Sequence, residues 1–82
     1  MDYSIKTLNQ LGISLRSARK GSKTTQIAAS ERFGILPKTI SLLENDPGRG
    51  SIDSLFKLLA AIGYEITLTP RDKENPDWDG EW

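Results

Sequence analysis

Cysteine and histidine are both absent from this 82-residue chain. The first absence rules out a disulfide framework and a thiolate metal site, and it is compatible with a reducing compartment. The second removes the commonest general base and the commonest metal ligand. Hydroxyl nucleophiles are left without an obvious activating base, and neither a carboxylate pair nor a glycine-rich phosphate loop is visible. An enzyme is therefore the least expected class, and no metal or cofactor is expected. No apolar run has the length of a membrane span, and Met1-Asp2-Tyr3 does not begin a signal peptide. The expectation is a soluble cytoplasmic protein with no membrane partner. A chain of 82 residues makes one domain with a thin core, for which a second copy is a ready source of extra burial.

Net charge is missing too, since Lys and Arg together number 11 and Asp and Glu together number 11. The zero is an average of two unlike ends. Up to Leu43, Lys6, Arg16, Arg19, Lys20, Lys23, Arg32 and Lys38 face only Asp2 and Glu31, a net of +5. From Pro70 onward, Arg71 and Lys73 face Asp72, Glu74, Asp77, Asp79 and Glu81, a net of −3. A basic front is either a solvated helical face or a surface for a polyanion; the acidic end would be repelled by one.

What is present is most concentrated between Gln26 and Asn45, QIAASERFGILPKTISLLEN. Ala29 and Phe33 are one helical turn apart and form the expected inner face of one short helix. Gly34 follows, able to take positive φ at a tight turn. Ile35 comes after it, and Ile40 and Leu43 share one face of a second short helix. Ser30 is small where the two helices would cross. An ordinary hairpin in a helical bundle accounts for this spacing, and so does a helix-turn-helix whose second helix is free to enter a DNA major groove. The basic front favours the second reading.

Around this unit, Ser4 is a candidate cap for a first helix reaching about Lys20, with Ile5, Leu8, Leu11, Leu15 and Ala18 at helical spacing. Gly21-Ser22 breaks it. Thr24 stands as the cap of the second helix, and Pro37 suits the first turn of the third. Residues 45–50 form a loop by composition. Ser51 or Asp53 caps a fourth helix, whose apolar face is read as Ile52, Leu55, Phe56, Leu59 and Ile62, with Gly63 ending it. The period then changes: Tyr64 to Thr69 alternate apolar and polar residues, and Pro70 stops the run. A lone strand cannot pair its own backbone, so it either joins the same strand of a second copy across a two-fold axis or lies as an arm on the helices. The charged remainder holds both tryptophans, Trp78 and Trp82, which either anchor a partner or fold back on the chain.

Taken together, Arg19, Thr25-Gln26, Gly34, Thr39-Ile40-Ser41 and Glu44-Asn45 resemble the motif of the Cro/C1-type (Xre) helix-turn-helix proteins, over residues 4–63. Within that family the chain is most similar to the HipB-type antitoxins. The likeness lies in Tyr3-Ser4, in the end of the third helix, in a single strand after the fourth, and in the final Glu81-Trp82. The resemblance implies an all-α, lambda-repressor-like domain of four helices. A dimerisation strand at 64–70, carrying Tyr64, Ile66 and Leu68, would pair across a homodimer, and 71–82 would be a flexible acidic tail. It implies a nucleoid-associated repressor that binds palindromic double-stranded operator DNA, represses its own operon and holds a HipA-type serine/threonine kinase toxin inactive. Trp82 matches the tryptophan that reaches a toxin pocket in the family; Trp78 has the weaker claim. A phage or operon repressor with no toxin partner is the alternative, and it would not need the tail.

Residue chemistry then distributes the DNA contacts. Lys38 can reach guanine O6 or N7, or else a phosphate. Thr39 and Ser41 suit a base edge or a phosphate, although Thr39 can equally cap the helix. Leu36 and Pro37 occupy positions that are often polar base readers; they offer only apolar contact with thymine methyls, so the operator sequence does not carry over. Gln26, with Thr24 and Thr25, is expected to donate to phosphate. Lys23, Arg32 and Arg49 are candidate backbone contacts. Arg19 is expected to pair within the chain, with Glu44.

Overall fold

In the computed structural model, which describes residues 2–71, four helices follow one another. They are α1 (Leu8–Gly21), α2 (Gln26–Phe33), α3 (Pro37–Asn45) and α4 (Ile52–Ile62), with a 3₁₀ turn at Pro47–Arg49. No helix of the described residues is long and apolar enough to cross a membrane.

Local chemistry sets each helix start. Thr7, not Ser4, caps α1: its side chain accepts from the Gln10 N–H at 3.1 Å, while the Gln10 side chain accepts from the Lys6 N–H at 2.6 Å. Thr7 thus secures the N–H of Gln10, while the Gln10 side chain secures the N–H of the residue before the cap, so two donors are satisfied at once; Ser4, with Thr7 three residues on, has no such long amide behind it. Likewise Thr25, not Thr24, caps α2 and accepts from the Ala28 N–H at 3.0 Å. Thr24 is held back in the preceding turn by Ser22, whose hydroxyl donates to it at 3.1 Å. Pro37 opens α3 behind Leu36, which offers no side-chain cap, and Ser51 caps α4 at 3.0 Å from the Ser54 N–H. Gly34 ends α2 with φ +69°, the left-handed conformation that L side chains adopt only at a cost.

The buried core comprises Leu15, Ala18, Ala29, Ile35, Ile40, Leu43, Leu55, Leu58, Ala61 and Ile62. Three expectations from the apolar pattern are corrected here. Phe33 is 41 % exposed: α2 ends on it, and the reversal at Gly34 swings Ile35 into the core instead. On α4 the inward stripe is Leu55, Leu58 and Ile62, so Ile52 and Phe56 fall on its outer side at 70 % and 56 % exposed. Leu8 and Ile5 are also exposed, because α1 turns inward only from Leu11 and Gly12 onward. At Gly12, a Cβ would lie 2.5 Å from the Glu44 carbonyl oxygen, so the missing side chain lets α1 cross directly over the end of α3.

After α4, the Tyr64 N–H bonds to Leu59 O at 2.9 Å. Tyr64 is half-buried, its ring centroid 6.0 Å from that of Tyr3, while Ile66 and Leu68 are exposed. Among the described residues there is no strand; the expected ladder at 64–70 needs a second copy to exist. The expected flexible tail, with Trp78 and Trp82, lies outside the described residues apart from Arg71.

Candidate nucleic-acid interface

The third helix is held from one side only. Ile40 and Leu43 face the core, and Glu44 is buried beside them. Arg19 of α1 meets Glu44 with both arms: Nε donates to Oε2 at 2.6 Å and Nη2 to Oε1 at 3.1 Å. Its third nitrogen, Nη1, donates to Thr24 O at 3.1 Å, so one guanidinium ties α1, the turn before α2 and the end of α3 together. The two side chains are 10 % and 2 % exposed, hence each charge depends on the other. Arg19 thus takes the intramolecular role expected of it.

Gln26 joins the same group. Its Nε2 donates to Ser41 Oγ at 3.2 Å and to Glu44 Oε1 at 3.4 Å, linking the first turn of α2 to the middle of α3. A contact with phosphate from this amide therefore competes with two internal acceptors. Thr25 remains at the exposed start of α2, where its hydroxyl is used as the cap. Lys23 sits in the turn before it with φ +59°, and its side chain is exposed.

The opposite face of α3 is open. Leu36, Lys38, Thr39, Ser41 and Arg49 are brought together there, lining one shallow concavity with Leu42 and Asn45. Leu36, Pro37, Lys38 and Arg49 are exposed; Thr39 and Ser41 are half-buried. Arg49 is only loosely held by Asp46, at 4.0 Å and with both side chains more than half exposed. Arg32 does not join this surface: its Nη1 donates to Ala61 O at 3.4 Å, placing the charge against the last turn of α4. Leu42 and Asn45 are the residues of the face that reasoning from the pattern passed over. Counting four and seven positions on from Lys38 finds both. Asn45 turns its amide nitrogen to Ser41 O at 2.9 Å.

The arrangement is a helix whose open side offers an ammonium, hydroxyls and apolar groups, with a second cation beyond its far end. That is the inventory of a helix able to lie in a major groove. Of the three residues read as the dimerisation strand, Ile66 and Leu68 are free on the surface. Burial pushes the Tyr64 hydroxyl above its ordinary range, with Tyr3 and the charge of Asp2 adding to it.

The chain matches the helix-turn-helix family over residues 15–68. It is similar to Antitoxin HipB of Escherichia coli O6:H1 (strain CFT073), 30 % identical over 77 residues, covering 89 % of this chain and 82 % of that protein. Antitoxin HipB of Escherichia coli strain K12 is 28 % identical over 68 residues, covering 83 % and 77 %. Among solved structures, a chain of the HipA-HipB-O2-O3 complex superposes with a TM-score of 0.80 at 28 % identity, over 84 % of this chain and 97 % of that one. A chain of the HipB-O4 20mer complex gives 0.79 at 28 % identity, over 84 % and 97 %.

Proposed function

Since the chain belongs to the Cro/C1-type helix-turn-helix family and to its HipB-type members, we propose that it is a DNA-binding antitoxin. It acts as a homodimer that represses its own operon and neutralises a HipA-type serine/threonine kinase toxin in the bacterial cytoplasm. The observation that carries the DNA reading is the two-sidedness of α3. Ile40, Leu43 and the buried Arg19–Glu44 pair hold one face, and Lys38 stands in the open at the start of the other. Lys38 reads a base, while Thr25, Lys23 and Arg49 contact phosphate around it. Pairing of the copies runs through residues 64–70, where Ile66 and Leu68 offer exposed apolar surface. The net −3 of residues 70–82 keeps that end away from DNA phosphate and leaves Trp82 for the toxin.

The test is a pair of titrations on one protein. Operator DNA from the chain's own promoter region should bind as a two-fold site, with affinity falling steeply in salt. A HipA-type kinase should bind by calorimetry, and Trp82→Ala should weaken that binding by about 2 kcal/mol or more while leaving the operator titration unchanged. Equal toxin affinity with and without Trp82 would move neutralisation onto the folded helices. Proline at Ile66 should convert dimers to monomers in sedimentation, because it removes a ladder N–H.

A further inference from the structure

The open face of α3 is unusual in what it lacks. Lys38 is the one charged donor on the helix itself, and the face's arginine, Arg49, stands beyond the helix end. The Ser41 hydroxyl already accepts from Gln26, and the Asn45 amide already donates to Ser41 O. The bidentate arginine and free-amide contacts by which purines are commonly read are therefore in short supply. Carbon is not. Leu36 is 67 % exposed at the start of the helix, and Leu42, half-buried, continues the same concavity one turn beyond Lys38. Nothing in the core requires an apolar group at either place: the inward positions are Ile40 and Leu43.

The major-groove edge presents a single apolar feature, the C5-methyl group of thymine. We propose that Leu42, together with Leu36, determines DNA specificity by packing on thymine methyls beside the base that Lys38 reads. This rests on the DNA-binding reading above. The rise of an α-helix puts Leu42 about 6 Å along the axis from Lys38. With base pairs about 3.4 Å apart, the thymine read by Leu42 lies roughly two steps from the guanine read by Lys38.

The experiment alters the DNA and leaves the protein as it is. Duplexes bound by the full chain are selected from a random pool, and each thymine of the preferred sequence is replaced in turn by uracil, which lacks only the methyl. Affinity should drop about fourfold at the thymine facing Leu42, the fold-change of one buried methyl at ~0.8 kcal/mol. In Leu42→Ala, the thymine and uracil duplexes should bind alike at that position and still differ at the position facing Leu36. Tight binding by the natural chain, with thymine and uracil indistinguishable at every position, overturns the inference and leaves DNA binding intact. Failure to enrich any duplex overturns the DNA-binding reading, and this inference with it.

Discussion

On the inner face of α3, Ile40, Leu43 and Glu44 are 0, 1 and 6 % exposed; on the outer face Lys38 and Asn45 are open and Leu42 is half-covered. Nine residues therefore carry two separable jobs. Inner side chains are constrained by shape and by a buried charge, so changing them acts on stability. Outer side chains, Lys38 first among them, take no part in the core, so changing them acts on binding. A helix packed on one side only makes this division possible, since its 3.6-residue period returns every third or fourth residue to the same face and leaves residues between them for the other.

The comparison breaks most sharply at the ion pair. Arg19→Ala leaves the Glu44 carboxylate buried without its partner and should cost about 3–5 kcal/mol, measured by urea unfolding followed with circular dichroism. The double change Arg19→Met with Glu44→Leu should recover most of that loss, because no charge is left stranded. A second blow from inside is Gly12→Ala. Its Cβ would press on backbone at 2.5 Å and should cost roughly 1–3 kcal/mol by the same measurement.

From the outer side, Lys38→Ala should leave the unfolding free energy within about 0.5 kcal/mol of the natural chain's. It should weaken DNA binding by roughly 1–3 kcal/mol and relax preference at one base pair. A fall in stability as large as the fall in affinity would show that the two faces are not separable. The smallest effect concerns neither face. The folded chain holds the Tyr64 proton more tightly than the unfolded chain does. This contribution to stability is complete below the ordinary phenol pKa of about 10 and is lost as pH rises through the raised value. Unfolding curves across that alkaline range should decline more gently in Tyr64→Phe.

Much of this was legible residue by residue. Gly34 and Gly63 mark helix ends because glycine takes positive φ at no steric cost, Pro37 marks a start because it has no N–H to leave unpaired there, and the pairing of Arg19 with Glu44 follows from two charges inside an apolar pattern. The caps were harder. Adjacent hydroxyls at Thr24 and Thr25 compete, and the two bonds made by Gln10, to Thr7 and to the Lys6 N–H, decide between Thr7 and Ser4. In the candidate interface, Lys38 and Thr39 stood out because they are polar at the start of a helix, whereas Leu42 looks like one more core leucine until Leu43 is seen to take the inward place.

By itself, the sequence determined how many helices there are and where each of them ends, and that the front of the chain is basic and its end acidic, because glycine φ, chain breaks and charge are properties of single residues and near neighbours. Only the tertiary structure decided which apolar residues turn outward and that Gln26 turns to Ser41 and Glu44. It also decided that Arg32 leans on α4 away from the recognition face. Those outcomes depend on the crossing of α1 over α3 at Gly12 and on the reversal at Gly34. Such a crossing brings together groups far apart in the chain, and no local pattern records their distance.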